Sequence, residues 1–581
     1  MGTIIRRPWE TATVLDQNLL NNSQDSLSQR LEMIADIETS TGIIHLSDRS
    51  KYVGGVFYEN RVEFPAIERT VGDFLSGVLE FSGLEIVINN TDQKFSDRLQ
   101  GGANYVGWIN KRVEVKIGLS EVDSSYITVF EGFVTDIGGY SRSTSTFTLS
   151  CRNRFDSVNA QIPTQVLNSG DFPLIEDEFI GLAAPIIYGD FTVDLRPEGS
   201  EVPVFPVNGK DPLVNGSLDP VDPLAGDNPL RLVVSSTPLK FLDTATVTLR
   251  RGNGFYVFSA ADIEVVPFTN NQIFDITQKN LIIEGSPWVY NTGDEFFVRC
   301  GGPDLGSGGI YDDNIVEIAK NILIEFGGLT AADFTSAWDT FRNKNAPPQS
   351  AIFSIPTRLW LQDAAKAVEV TATLLEQVRL EPFINRENKW DLASLHFEDF
   401  VASPNFTVRN WDVARGTFQP QIDERNNFNR AQADFNFNPA TGQNRLSTAI
   451  FKNDLATSQA GKAISKLITF PSLYKITDVE NQLIEIIRLV SAYSEFIEVT
   501  LTSRAFLKDI CDFVRLSVDI GSIQFSSSGQ PIVGLIRDLR YNPKTMGIGC
   551  RIWCFQMLNF PGYTGPAGTV SGYDAIITVD T

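Results

Sequence analysis

Arg112-Val113-Glu114-Val115-Lys116-Ile117 alternates charged and apolar side chains with a period of two. In an extended chain successive Cβ atoms point to opposite faces, so the valines and the isoleucine share one face and the charges the other. A helix would scatter the same residues around its axis. Thr146-Phe147-Thr148-Leu149-Ser150-Cys151 repeats the pattern and puts Cys151 on the apolar side, as a core residue. The pairs Asn89-Asn90, Gly101-Gly102 and Gly138-Gly139 punctuate such runs. Residues 41–189 therefore read as a first small antiparallel barrel or sandwich, interrupted by one helix over roughly Thr70 to Leu79.

Working outward, residues 1–40 hold Pro8-Trp9 and a polar stretch from Asn21 to Gln29, with only Leu27, Leu31 and Ile34 at helical spacing. They read as an N-terminal arm that orders on a neighbour. Beyond Pro185-Ile186-Ile187-Tyr188-Gly189-Asp190, the Pro/Gly/Asp-rich stretch from Val202 to Pro229 looks too loop-like to carry a ladder. Strand-like segments at Leu230–Ser235, Ala245–Leu249, Asn280–Glu284 and Glu295–Cys300 predict an inserted β-rich domain over 190–305.

Three helices follow. One begins at Asp312 or Asp313, runs through Ile315, Ile318, Ala319, Ile322, Leu323 and Phe326, and stops at Gly327-Gly328, within a helical connector over 306–364. The second spans about Thr357 to Gln377, with Leu361, Ala365, Val368, Ala372 and Leu375 buried. The third starts at Thr477, with Glu480 completing a capping box, and presents Val479, Leu483, Ile486, Ile487 and Val490. Strands at 379–392, 495–502, 512–518, 531–541 and 548–555 complete a second barrel with packed helices over 365–560. The Gly/Thr-rich end, 561–581, reads as a C-terminal extension. The expected class is mainly β with packed helices (α+β): two similar small β-barrel domains, a β-rich insert and a few helices.

A chain of 581 residues has room for roughly two to four domains. With 42% hydrophobic residues and 40 Phe it can fill their cores. Its 71 acidic against 48 basic residues, a net charge of -23, repel phosphate backbones and argue against tight nucleic-acid binding. Arg6-Arg7, Lys111-Arg112 and Arg250-Arg251 are isolated basic doublets, and the last two fall on solvated strand faces. Five cysteines, Cys151, Cys300, Cys511, Cys550 and Cys554, with no secretory apolar region after Met1-Gly2-Thr3, lead us to expect a reduced, cytosolic chain. No apolar run reaches the ~20 residues of a membrane span, so any membrane would be met by a partner.

The residues that could carry chemistry nominate no catalytic, cofactor or metal site. His45 and His396 each sit in an apparent strand without a ligand-spaced Cys or carboxylate, and read as structural. A Gly-x-Ser-x-Gly elbow is missing. Gly461-Lys462-Ala463 lacks the glycine spacing and hydroxyl of a phosphate loop, and Gly252-Asn253-Gly254 lacks the third glycine of a dinucleotide fingerprint, so both read as turns. Cys550 and Cys554 would share one strand face as core, with no second pair for zinc. Asp211, Asp219, Asp222 and Asp227 do not follow calcium-loop order and read as solvated charge. Of 71 acids, no pair stands out for glycoside hydrolysis.

Several strings carry a resemblance. Leu84-Glu85-Ile86-Val87-Ile88-Asn89-Asn90-Thr91-Asp92, then Trp108 and Arg112-Val113-Glu114-Val115, then Val129-Phe130-Glu131-Gly132-Phe133-Val134-Thr135-Asp136-Ile137, are similar to the opening barrel of tailed-phage tail-tip and baseplate hub proteins. Arg425-Asn426-Asn427-Phe428-Asn429-Arg430 leading into Ala433-Asp434-Phe435 resembles that family's second half. So do Asp512-Phe513-Val514-Arg515-Leu516-Ser517 and Gly534-Leu535-Ile536-Arg537-Asp538-Leu539 with Tyr541-Asn542-Pro543. The likeness covers most of 40–560, and the insert near 190–300 departs from it. It implies a structural, non-enzymatic virion protein assembled in the host cytoplasm: a homotrimer whose two barrels per chain match a hexameric tail tube or distal tail protein, with a trimeric spike or fibre below. DNA would pass without specific binding through a conduit whose acidic lumen keeps phosphates from sticking. Two readings compete with it. One is a tail-associated cell-wall or capsule hydrolase using an acidic residue as general acid. The other is a carbohydrate-binding adhesin built on exposed aromatics, although Trp9, Trp108, Trp288, Trp338, Trp360, Trp390, Trp411 and Trp553 are scattered as expected of core or interface anchors.

Overall fold

Leu31, Met33, Ala35 and Ile37 are fully buried, and so is Ile34 on the opposite face. They form Leu31–Thr39 (β1), a central strand and not part of an arm. A strand covered on both sides loses the alternation that would mark it, which is why the sequence pattern hid it. The computed structural model describes residues 31–580 apart from 41, 72–82, 96–106, 120–122, 140–144, 193–201, 208–229, 267–269, 271, 277–280, 284, 289, 292, 304, 306–313, 343–354, 396–405, 415, 423–427, 455–456, 458–461, 492–493, 503–504, 507, 518, 521–522, 525–531, 543–546 and 556–576. The helix expected near Thr70 to Leu79 falls almost wholly outside them.

The first sheet adds Gly42–Ser47 (β2), Lys51–Val53 (β3), Val56–Asn60 (β4), Val62–Glu63 (β5), Leu84–Asn89 (β7), Arg112–Leu119 (β8), Ile127–Gly138 (β9) and Thr146–Asn153 (β10). Its order is β3-β4-β2-β1-β8-β9-β10-β7-β5. The strand Ile67–Thr70 (β6) leaves it. Two short strands, Gln161–Ile162 (β11) and Ile186–Tyr188 (β12), then reach toward the middle of the chain.

The insert holds Val202–Pro206 (β13), Leu230–Val233 (β14), Phe241–Arg251 (β15), Gly254–Val257 (β16), Ile263–Val265 (β17), Ile273–Ile276 (β18), Ile282–Ile283 (β19), Ser286–Pro287 (β20) and Glu295–Gly301 (β21). Seven of these strands form one sheet, β16-β15-β21-β13-β14-β18-β17, around its own apolar cluster. Residues 202–206, which sequence composition assigned to a loop, pair with both β21 and β14. The rest of that stretch lies outside the described residues. Entry and exit meet: Asp190 bridges Gly301, and the Gly302 N–H donates to the Gly189 carbonyl at 2.8 Å.

Helix α1 (Ile315–Glu325) starts two to three residues later than expected, because the Asn314 side chain accepts from the Val316 and Glu317 N–H groups. Helix α2 is Ser336–Arg342. The helix expected over Thr357 to Gln377 is halved: Leu359–Leu361 (β22) pairs with β12, Ala365–Lys366 (β23) pairs with β11, and only Ala367–Glu376 (α3) is helical. Partners nearly two hundred residues away in sequence override the local period. Next come Leu380–Ile384 (β24), Trp390–Ser394 (β25), Phe406–Arg409 (β26) and Gln419–Ile422 (β27), then Arg430–Asn438 (β28), Gln443–Ser447 (β29), Ile450–Asn453 (β30) and Ser465–Phe470 (β31). Helix α4 (Ile476–Ser491) lays Val479, Leu483, Ile486, Ile487 and Val490 on β28 and β30. The remaining strands are Ser494–Leu501 (β32), Phe513–Ser517 (β33), Asp519–Ile520 (β34), Ile523–Gln524 (β35), Ile532–Tyr541 (β36), Ile548–Phe555 (β37) and Ile577–Asp580 (β38). Part of the C-terminal extension is thus ordered on its own chain, with β38 paired to β30. The protein is mainly β with packed helices, its sheets curled into half-barrels.

The two curled sheets follow one plan. The run β1-β8-β9-β10-β7 matches β26-β33-β36-β37-β32, and β5 and β27 each close a sheet, beside β7 and β32. Val113 opposes Gly132 across β8 and β9, as Val514 opposes Gly534 across β33 and β36. The register slips at Thr135, between the pairs Val134–Cys151 and Asp136–Ser150; it slips again at Arg537, between Ile536–Ile552 and Asp538–Arg551. Asn110 (φ 59) and Cys511 (φ 64) are both left-handed. Their N–H groups donate at 2.8 Å to Val134 and Ile536, whose own N–H groups donate at 3.0 Å to Lys111 and Asp512. At both glycines a Cβ would collide, with the Arg152 carbonyl oxygen at Gly132 and with Ile552 at Gly534. The plans differ at one end, where β1 runs antiparallel to β8 but β26 parallel to β33.

The halves are sewn together by β6, which pairs with β36 from Ile67–Tyr541 to Thr70–Asp538. Arg69 on β6 reaches Asp509 at 2.6 Å, and the Arg386 N–H donates to the same carboxylate at 2.7 Å. Arg537 grips Glu381 with both terminal nitrogens, well away from solvent. One apolar core runs from Leu31 through the helices to Cys554.

Candidate functional site

The charged half of the opening alternation forms a belt across the first sheet. His45 Nδ1 lies 2.7 Å from Asp36, which also accepts from Lys116 at 2.9 Å and from the Tyr58 hydroxyl at 3.3 Å. Burial raises the Asp36 pKa, but Lys116 and His45 outweigh it and hold the carboxyl below its ordinary value. Lys116 also meets Glu114 at 3.2 Å, and Glu131 takes Arg112 at 2.7 Å and Arg154 at 3.0 Å. Asn388 and Asp333 extend the belt toward the second half through Glu131 and Arg154. Burial first, then the Asp36 charge, pushes the Tyr58 phenol upward, so it stays protonated and donates. His45 is therefore a member of an ion network, packed edge-on against the Tyr58 ring at 5.2 Å.

The other nominated residues disperse. His396, Asp211, Asp219, Asp222, Asp227, Arg6, Arg7 and Trp9 lie outside the described residues. All five cysteines are buried and none is in a disulfide; burial pushes the Cys151 thiol up to about 12 and those of Cys300 and Cys550 higher still. Among the described residues no group of three His, Cys, Asp or Glu side chains could hold a metal ion, and no helix is long and apolar enough to cross a membrane. Arg250 pairs with Glu295 and Arg251 with Asp294, so that doublet is neutralised locally. Gly252-Asn253 is the two-residue turn of the β15–β16 hairpin.

Three features went unseen in the sequence. A cleft of roughly 400 Å³ opens where α3, β22 and β28 meet the insert, lined by Phe191, Trp360, Leu361, Val370, Leu374 and Phe437. The Trp360 ring stacks on Phe437 at 6.4 Å, and its buried indole N–H has no acceptor among the described residues. Such a pocket suits an apolar group with a hydrogen-bond acceptor beside it. The second feature is an edge hairpin, β3–β4, with Tyr52 68% and Phe57 46% exposed and their rings 5.1 Å apart. Exposed aromatic pairs of this sort serve as interface anchors. The third is Glu376, which ends α3 and is raised to about 7 by burial, against the pull of Arg379. No periodicity could have exposed the cleft, but Gly132-Phe133-Val134-Thr135-Asp136-Ile137 set above Gly534-Leu535-Ile536-Arg537-Asp538-Leu539 would have shown the repeat.

No family model and no curated protein matches the chain. Among solved structures it is similar to a tail protein from Neisseria meningitidis, at 9% identity and TM-score 0.39, covering 90% of this chain and 97% of that one. A 43 kDa tail protein of prophage MuSo2 from Shewanella oneidensis gives 10% identity, TM-score 0.38 and coverage of 90% and 98%. A chain of the p2 virion baseplate in its activated conformation gives 10%, TM-score 0.21, and 90% and 98%.

Proposed function

We propose that this chain is a structural, non-enzymatic protein of a bacteriophage virion, a hub of the tail tip or baseplate. The observation that carries the proposal is the duplicated plan: two sheets with the same strand order, a glycine and a bulge at matching positions and a left-handed residue at the matching turn, sharing one core. A trimer of such a chain presents six copies of one scaffold around an axis, which is what a hexameric tail tube needs below it and a trimeric spike or fibre needs above it. The belt of paired charges fits a geometric role, since its ions neutralise one another. A net charge of -23 suits a conduit that DNA must pass without sticking. The division into a first barrel domain over 41–189, an insert over 190–305, a connector over 306–364 and a second barrel domain over 365–560 belongs to the same proposal, as does assembly in the host cytoplasm.

Electron microscopy tests this reading. Gold-labelled antibody against the chain should decorate the tail tip of particles produced by the genome that encodes it. Label on the head or on no particle at all, or cell-wall clearing by the purified chain in a zymogram, would overturn it.

A further inference from the structure

Beyond its bulge, β36 has a filled edge, whereas no described strand fills the matching edge of β9. On β36, β33 covers Ile532 to Leu535 and β6 covers Asp538 to Tyr541. On β9, β8 covers Ile127 to Phe133, and no described strand pairs with Asp136–Gly138 on the side away from β10. The shared glycine and bulge set the equivalences: Thr135 with Arg537, Asp136 with Asp538, Ile137 with Leu539, Gly139 with Tyr541. Arg537, Leu539 and Tyr541 are buried, while Thr135, Asp136 and Gly139 are exposed and Ile137 is half-buried.

The orientation of the backbone follows from the filled copy. The Val71 N–H donates to the Arg537 carbonyl at 3.0 Å, and antiparallel pairing alternates every second residue, so the Leu539 N–H and C=O face Arg69 on β6. At the same register the Ile137 N–H and C=O face outward from β9. That N–H is held at 2.8 Å by the side chain of Asp136, one residue earlier. A side chain bonded to its neighbour's backbone in this way offers the donor an alternative to a ladder partner.

We propose that the Asp136–Gly139 edge accepts a strand from a second copy of this chain, repeating between copies the addition that β6 makes to β36 within one. A second copy is the occupant because the acceptor plan is already matched to a donor of this chain. β6 begins just past the Val62–Ile88 pair, and β27 begins just past the equivalent Val413–Leu501 bridge. β27 also ends its sheet, with its outer edge unpaired among the described residues. First half onto second half is satisfied internally, and second half onto first half is the contact left over. Donor and acceptor surfaces differ, so the contact is head-to-tail and closes into a ring when the rotation allows. The inference rests on the hub reading and supplies the joint between its subunits.

Native mass measurement and amide hydrogen exchange on the full chain, across a dilution series, test it. The multimer should protect the Ile137 and Gly139 amides about tenfold or more over the dilute monomer, while the Leu539 amide is protected in both, because one or two net hydrogen bonds are at stake per edge. Ile137→Pro deletes the outward donor and should weaken association by about tenfold or more. Asp136→Ala removes the competing side chain and should strengthen association, which guards against reading misfolding as an effect. A multimer whose Ile137 amide exchanges as fast as in the monomer, an unchanged assembly of Ile137→Pro, or a chain that stays monomeric at every concentration would overturn the edge. None of these results bears on antibody label at the tail tip, so the hub reading stands or falls separately.

Discussion

At one position of one strand the two halves carry opposite residues. Thr135 lies in solvent, its hydroxyl donating to the Ser150 carbonyl at 3.0 Å; Arg537 is buried and clamped to Glu381. Both sit at a bulge, which adds a residue and re-aims a side chain. The backbone device is common to the halves, and the use made of it depends on what lies above. Over Arg537 the chain has laid β6 and the 381 strand, so the bulge pins two halves together. Over Thr135 nothing described is laid, and a short polar side chain suffices. A duplicated scaffold therefore diverges at its exceptions to regularity before it diverges in its ladders.

Breaking the pin gives the largest expected effect. Arg537→Ala leaves a buried Glu381 without its partner and should cost about 3–5 kcal/mol in urea unfolding, whereas replacing both by apolar residues should recover most of the loss. The glycines come next. Gly132→Ala and Gly534→Ala should each cost about 2–4 kcal/mol, the first more, because it meets backbone and the second mainly side chains. Equal and negligible costs would break the equivalence of the two strands.

Electrostatics sharpens the comparison through pH. Glu376 is raised from 4.5 to about 7, so the fold holds a proton that the unfolded chain releases across that window. Stability from this group is present at low pH and declines as pH rises through about 7, by up to ~3 kcal/mol. Its seat at the C-terminal end of α3 adds the helix dipole to the burial. Glu376→Gln should therefore stabilise the protein at pH 8 and change little at pH 5, as read by melting temperature. Asp36 in the first sheet is depressed and acts in reverse, since its contribution is present at neutral pH and lost as pH falls toward and below its ordinary range. The smallest effect belongs to Thr135→Ala, within about 0.5 kcal/mol.

Strands with one wet face were legible because alternation reports a local fact. β8, β10 and β33 fall where the pattern put them. β1 was not legible, because burial on both faces erases alternation, and β22 and β23 were hidden inside an apparent helical period by partners far away in sequence. Likewise β13 sits at the head of a Pro- and Gly-rich stretch, and only its neighbours β14 and β21 make it a strand. The candidate site was legible only in part. The charges of the belt stand in the alternating strings, but the pairing of Glu131 with Asn388 and of Arg154 with Asp333 joins residues too far apart in sequence for any local pattern to show.

The neck at Gly189 and Gly302 has a consequence for how such a molecule can change. Because the way in and the way out are stapled side by side, the Gly302 N–H on the Gly189 carbonyl and the Phe191 N–H on the Cys300 carbonyl, and the insert keeps its own apolar cluster, everything between them hangs from the scaffold as a cassette. It could be traded for another payload, or trimmed away, without rethreading the chain that carries it.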